Sequence, residues 1–521
     1  MNIRNLPASG RTPSFQRTAI PTNPGFPRPR NEPGQKKKAA VNVRSIIQAA
    51  RTGRLESSWR STPYTADDLI YQAWTATTAR ARQAYEEFDH YRKFAQLVRA
   101  NVVGENGMNL NAQIRDPSGS VDTRAIRAIE GAYYDFSKKG NFDVSGTLSR
   151  ADAERMALNT WATDGEVIVV KRYGKQFPHG IAFQFIDPVR LDPIHYMRLP
   201  NGNHIRHGIE MDEDNRPLRY YFRKSDERGC GYLAGYGPND FTVVDARDVI
   251  HWFVPEKPGQ KRGICPGRTA LSRMRMLSGF EDAAIINARI GSSKMGFFHN
   301  PDAEGGADDE DLVIDADPGS MEDIGNRELV KWDPQFPDAA IETFIRTILR
   351  SIGAGLSVSY HNLSNDLTSV NFSSIRQGTL DERSVWRSLQ DSFVEGVCRP
   401  MFEAWLEFSV LVTGSILINE KPLRVDSLEK YKAVDFIGTR WAWIDPSSDQ
   451  SANERAVSQG FKSRSQVIRE TSNRDPEEVF AEIEAENKEL ARRGIIPALP
   501  PGVTLPPEEE APAPAGEPIQ K

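Results

Sequence analysis

The chain has 521 residues, 39% of them hydrophobic and 26% charged, which at ~150 residues per domain allows roughly three to four units and a sizeable core. Sixty-six basic against 71 acidic residues leave a net charge of -5 and a pI near 6.0, excluding the strongly basic surface of a tight nucleic-acid binder. Three cysteines, Cys230, Cys265 and Cys398, are too few and too scattered for a disulfide framework or a four-ligand zinc site, so a reducing compartment is expected.

The first residues, MNIRNLPASGRTPSF, lack the apolar core of a signal peptide, and no run of ~18 apolar residues occurs, so neither export by that route nor a membrane span is expected. Residues 1–40 hold seven prolines and eight Lys or Arg against one acid, Glu32. Such a segment buries little apolar surface and keeps no regular hydrogen-bonding pattern, and residues 1–44 read as a disordered basic arm.

Helical spacing then carries Leu69, Trp74, Tyr85, Phe88, Phe94 and Leu97, from Thr65 to about Val103. Between 161 and 254 the period changes. Short apolar runs (Val167 to Val170, Ile181 to Ile186, Pro217 to Phe222, Val249 to Val254) alternate with turn signals, among them Asp164-Gly165, Asn201-Gly202-Asn203 and Asp212-Glu213-Asp214-Asn215, and predict a mostly antiparallel sheet. From Gly267 to Phe298 the pattern is helical again. Residues 302–323 hold ten Asp or Glu and no Lys or Arg, which reads as a solvent-facing excursion.

A second helix follows, capped by Asp338, with Ile341, Phe344, Ile345, Ile348, Leu349 and Ile352 on one stripe and Arg346 and Arg350 off it. Residues 357–374 then contain six serines, three asparagines, one acid (Asp366) and no Lys or Arg, and are expected to form a polar loop. It leads into a long helix carrying Trp386, Leu389, Phe393, Val397, Met401, Trp405 and Phe408, with a kink at Pro400. Asp475-Pro476-Glu477-Glu478 opens a last helix ending at Gly494, and the proline-rich segment 496–521 reads as an extended tail.

Signatures of catalysis are scarce. The one Gly-Lys pair, Gly174-Lys175, is followed by Gln176 and is no phosphate-binding loop; neither a His-Glu-x-x-His helix nor a Gly-x-Ser-x-Gly elbow occurs. His204 and His207 are expected to be solvated at the surface rather than to hold a metal, since no third ligand stands near them in the sequence. Asp212 to Asn215 reads as a hairpin turn, because the glycine and distal glutamate of a calcium loop are missing. The glycosylation-type triplets starting at Asn362 and Asn371 are read as chance without a secretory signal. No catalytic residue, metal or cofactor is expected. The sequence to this point describes an α+β, multi-domain protein.

Several short strings occur in an order that identifies a resemblance. They are Asn101-Val-Val-Gly104, Thr163-Asp-Gly-Glu166, Phe185-Ile-Asp-Pro188, His207-Gly-Ile-Glu210, Val249-Ile-His251, Lys261-Arg-Gly-Ile264, Ile352-Gly-Ala-Gly-Leu356, and Asn371-Phe-Ser-Ser374 with Arg376. Trp443-Ile-Asp-Pro446, Lys462-Ser-Arg464 and Val467-Ile-Arg469 continue it. Over roughly residues 45–495 the chain resembles the portal proteins of tailed bacteriophages, lambda-type branch.

The resemblance implies a multi-domain portal fold that forms a ring of about twelve copies at one capsid vertex, a conduit for double-stranded DNA during packaging and ejection. It divides the chain into a wing (45–266), a first stem helix (267–298), an acidic clip (299–338), a second stem helix (339–356), a tunnel loop (357–374), a spine helix with wing return (375–445) and a crown region (446–495). Implied partners are further copies of the chain, double-stranded DNA, the terminase large subunit, a head-tail connector protein, and the major capsid and scaffold proteins. The implied location is the virion, with host cytoplasm during assembly and no membrane.

In that frame Tyr360, His361, Asn362, Asn365, Asp366, Thr368 and Asn371 are expected to face DNA in the tunnel loop. A loop without cations exchanges weak, water-mediated contacts with phosphates and releases few counterions. Arg289, Lys294, Arg346 and Arg350 are candidates for the channel wall or for pairing between subunits, and Asp308, Asp309, Glu310 and Asp311 for partner docking by the clip. A rival reading makes those four carboxylates the magnesium site of a metal-dependent nuclease or DNA translocase; the missing phosphate-binding loop and basic groove count against it.

Overall fold

Thr65 opens the first helix with a capping box: its hydroxyl accepts from the Asp68 amide, and the Asp68 carboxylate accepts from the Thr65 amide at 3.1 Å. The computed structural model describes residues 60, 62–225, 231–232, 237–292, 296–299, 328–331, 340–368, 372–441, 446–472 and 476–494, and the elements below belong to one unit, Tyr64–Lys521. The expected single helix is two, α1 (Ala66–Glu87) and α2 (Asp89–Val102). They are separated where Phe88 turns extended (φ -107°, ψ 117°) and lays its ring on the core.

Strand β1 (Asn109–Ala112) and helix α3 (Thr123–Phe136) lead to α4 (Arg150–Asp164), which Ser149 and Asp152 start with a second capping box. Gly165 ends α4 in the left-handed region, φ 85°. A Cβ there would lie 2.2 Å from the Ile264 backbone, so only glycine fits.

Strand β2 (Glu166–Tyr173) begins at once, and β3 (Ile181–Ile186) and β9 (Val249–Phe253) flank it antiparallel. Its uninterrupted apolar run has a physical reason: both faces are covered. Val167 and Val169 face the helical core with Trp161, Phe183, Trp252 and Phe402; Ile168 and Val170 face a second cluster with Ile209, Met211, Tyr220 and Phe222.

That second cluster lies under an antiparallel meander of β4 (Met197–Arg198), β5 (His204–Arg206), β6 (Ile209–Met211), β7 (Pro217–Arg223) and β8 (Phe241–Asp245). Asp212 to Asn215 form the expected turn between β6 and β7, with Asn215 left-handed at φ 63° and its amide donating to the Asp212 carbonyl at 3.1 Å. The fold is thus mixed, helices packed with antiparallel sheets.

Helix α5 (Leu271–Ser292) is shorter than expected. Gly291 and Gly296 weaken a helix there, and Phe297 and Phe298 instead form β10 (Gly296–His299), paired with Val330 and Leu329 of β11 (Glu328–Lys331). The acidic stretch 302–323 lies outside the described residues, as do Asp338, the arm 1–44 and the tail 496–521.

Helix α6 (Ala340–Leu356) packs beside α5: Phe280 and Phe344 meet edge to face at 5.4 Å between centroids, and Arg273 donates to Ser351. The expected polar loop contains a helical turn, α7 (Tyr360–Ser364), capped by Ser359, and α8 (Phe372–Phe393) begins two residues before the loop's expected end at 374.

Pro400 sits in the first turn of α9 (Arg399–Phe408), directly after a π-helical stretch, Val394–Cys398. At the expected break the helix widens into this π turn, next to the proline that cannot donate its amide. A second π stretch, Ser409–Thr413, precedes the hairpin β12 (Leu417–Ile418) and β13 (Lys421–Pro422), then α10 (Leu428–Tyr431) and β14 (Val434–Ile437), which pairs with β1. Helices α11 (Pro446–Ser458), α12 (Arg464–Thr471) and α13 (Pro476–Arg492) close the chain.

Candidate functional site

The predicted site residues fall into three sets. The acids Asp308, Asp309, Glu310 and Asp311, with Lys294 and Asn371, lie outside the described residues. Arg289 is exposed, in the last turn of α5. The remaining eight come together around α7 and the turns of α6 beside it.

Asp366 organises that place. Its Oδ2 accepts from the Tyr360 hydroxyl at 2.6 Å, and its Oδ1 accepts from the Thr368 amide at 2.9 Å and hydroxyl at 2.5 Å. His361 Nδ1 donates to the Asp366 carbonyl at 2.9 Å. The Thr368 and Tyr360 hydrogen bonds, with the Arg346 charge nearby, hold the Asp366 carboxyl well below the usual range. Arg346 Nε lies 3.7 Å from Asp366 Oδ2, its NH2 donates to Glu342 Oε1 at 2.6 Å, and the Arg350 guanidinium stands 5.6 Å from the Tyr360 ring centroid. Asn365 caps α7 in the left-handed region at φ 54°, a conformation asparagine tolerates.

One residue of this site escaped the sequence reading. Glu382, 6% exposed, accepts from Asn362 Nδ2 at 2.7 Å, from the Ser359 amide at 3.2 Å and from Trp386 Nε1 at 3.2 Å, tying the polar segment to α8. Its signal was there: an acid four residues before Trp386, on the apolar stripe of α8.

Beneath the junction of helices and sheets lies a buried polar node. Arg262 and Glu166 are both fully buried. Arg262 Nε donates to Glu166 Oε1 at 2.8 Å and Oε2 at 3.0 Å, its NH1 to the Leu191 carbonyl at 2.6 Å and its NH2 to the Pro188 carbonyl at 3.1 Å. The Gly263 amide and His251 Nε2 donate to Glu166 Oε2 at 2.7 and 3.1 Å. Burial alone would raise the Glu166 carboxyl; the Arg262 charge and the His251 and Arg262 hydrogen bonds outweigh it and hold the group down at about 2. Trp74 covers the guanidinium at 4.5 Å and donates to the Gly263 carbonyl at 2.9 Å. Arg82 bridges Asp164 and Asp187 alongside.

Five of the strings quoted above, those containing Glu166, Asp187, His207, His251 and Arg262, therefore meet at one place. His207, expected at the surface, lies inside instead. It is fully buried at φ 53°, its Nδ1 donates to the Pro193 carbonyl at 2.7 Å, and its Nε2 lies 3.0 Å from the Tyr196 hydroxyl. His204 is half-buried on β5.

Among the described residues no group of three His, Cys, Asp or Glu is placed to hold a metal, and no helix is long and apolar enough to cross a membrane. The surface of α5 and α6 leaves large apolar side chains uncovered: Met276 is 73% exposed, Ile285 59%, Ile286 55% and Phe344 51%.

The family model described as phage portal protein, lambda family, matches residues 52–390. The "Probable portal protein" of Halomonas phage phiHAP-1 is 28% identical over 477 residues, which cover 89% of this chain and 90% of that protein. Portal protein B of Escherichia phage lambda is 22% identical over 486 residues, covering 84% and 88%. A solved structure titled "Neck of empty GTA particle computed with C6 symmetry" matches at 12% identity over 76% of this chain and 93% of that one, with a TM-score of 0.43.

Proposed function

Because the chain belongs to the lambda family of phage portal proteins, we propose that it assembles into a ring of about twelve copies at one vertex of the virion capsid, and that double-stranded DNA passes through the ring during packaging and ejection. The observation that carries the ring is the uncovered apolar surface of α5 and α6, with Met276, Ile285, Ile286 and Phe344 more than half exposed in the single chain. Exposed apolar side chains of this size on a paired-helix surface call for burial by a partner, and further copies of the chain are the partner that the family provides.

In this reading residues 45–266 are the wing, α5 and α6 the stem, 299–338 the clip, 357–374 the tunnel loop, the helix from α8 to α9 the spine and 446–495 the crown. The loop faces DNA with Tyr360, His361, Asn362, Asn365, Asp366, Thr368 and Asn371. Between residues 357 and 374 it carries no Lys or Arg, so phosphates slide past it with little counterion release. Asp308 to Asp311 dock the terminase motor during packaging and the connector protein afterwards, and the wing meets capsid and scaffold. The protein is a conduit without catalysis.

Sedimentation velocity on the purified chain, run beside ATP-hydrolysis and DNA-cleavage assays, tests this reading. The expected result is an assembly of many copies, inert in both assays with or without magnesium. A stable monomer, or metal-dependent DNA cleavage abolished by Asp309→Ala, would overturn it.

A further inference from the structure

The acid of the polar segment and a cation of the helix before it share one place in space. Arg346 projects from the middle of α6 with its side chain 27% exposed, between Glu342 one turn earlier, 78% exposed, and Asp366, 23% exposed. A pair with a freely solvated glutamate is screened and transient. Asp366 differs, because Tyr360 and Thr368 fix its carboxylate while the His361 ring fixes its backbone. Arg350, one turn further on, is drawn over the Tyr360 ring at 5.6 Å. Both arginines of this stretch of α6 are thus engaged by residues of the polar segment.

We propose that Asp366 is an electrostatic mask: held by Tyr360 and Thr368, it neutralises Arg346 and withholds that cation from a phosphate backbone. This rests on the reading that the segment faces DNA. It adds to that reading that the absence of Lys and Arg in the segment is insufficient by itself, because Arg346 of the adjoining helix lies against the segment and must also be silenced. Asp366 is a positioning residue in this account, acting on DNA through Arg346.

The test uses the assembled full-length protein and a labelled duplex of arbitrary sequence, with binding followed by anisotropy across a salt series. Asp366→Asn keeps one acceptor oxygen, for the Thr368 amide and hydroxyl, puts an NH2 that can donate to the Tyr360 hydroxyl where the second oxygen was, and removes the charge. It should tighten binding at low salt and steepen the log-log salt dependence by about 0.9 for each additional phosphate that the protein neutralises. Arg346→Gln alone should leave binding at or below the parent level, since it removes no free cation and leaves the Asp366 charge uncompensated, and the double variant should return to the parent curve. If Asp366→Asn assembles poorly, Asp366→Ser makes the same test.

Tightening that persists in the double variant would overturn the mask, because it would reflect only the loss of a negative charge. Leu367→Lys separates this proposal from the reading beneath it: a response to Leu367→Lys without one to Asp366→Asn overturns the mask and leaves the DNA-facing segment standing. No response to either overturns both.

Discussion

Glu166→Gln is expected to destabilise the protein by about 3–5 kcal/mol, the usual consequence of leaving one partner of a buried ion pair without its counter-charge. Arg262 would stay fully buried beneath Trp74 while losing the carboxylate that accepts from its Nε at 2.8 and 3.0 Å. The Gly263 amide and His251 would lose the anionic character of their acceptor as well. Combining Glu166→Gln with Arg262→Met should restore part of the loss, because removing both charges removes the desolvation problem. Recovery stays partial, since the Leu191 and Pro188 carbonyls then lack the donor Arg262 supplied.

The same pair sets a pH dependence. The folded carboxyl is held at about 2 against an ordinary value of 4.5, so its stabilisation is fully present above the unfolded value and is lost as pH falls from about 4.5 towards 2. Urea unfolding of parent, single and double variants at neutral and acidic pH checks both statements. A Glu166→Gln midpoint equal to the parent's would contradict them.

Leu367→Lys is expected to produce the largest change in DNA handling. Leu367 is 68% exposed on the polar segment, whereas Asn365 holds a left-handed backbone that lysine adopts only with strain. A ring multiplies the substitution about twelvefold, and if only three of the new cations meet phosphates the salt slope steepens by about 2.7. Across a fourfold change in salt that amounts to a change in affinity on the order of 40-fold. DNA should therefore be packaged slowly or incompletely at low salt and recover as salt rises. Packaging rates equal to the parent's at every salt concentration would mean that the segment does not face DNA.

Much of this architecture is legible in the sequence because it is local. The strands β2, β3, β7 and β9 follow from short apolar runs between turn signals, and α6 from a single stripe. Where local signals compete, tertiary packing decides. Phe88 leaves helical geometry to cover the core, splitting one expected helix into α1 and α2, and Phe297 and Phe298 are drawn from a helical pattern into β10 by pairing with β11. Pro400 implied a break, but not the π turn, which depends on the carbonyls of the preceding turn.

The buried node was invisible for a different reason. Glu166 and Arg262 are 96 positions apart and neither stands out in composition; only the fold joins them. His207 was misread because a polar side chain near a turn is usually solvated, and here its neighbours Pro193 and Tyr196 satisfy it inside. The expected loop 357–374 contains α7, since Ser359 supplies a cap that the serine count concealed.

Electron microscopy of the purified full-length protein, averaged in end-on views, tests the central claim most directly. The account predicts closed rings of about twelve copies with a central opening wide enough for double-stranded DNA, and with the α5 and α6 surfaces that carry Met276, Ile285, Ile286 and Phe344 buried between neighbouring copies. Monomers or dimers, or rings whose lumen is too narrow for double-stranded DNA, would contradict it.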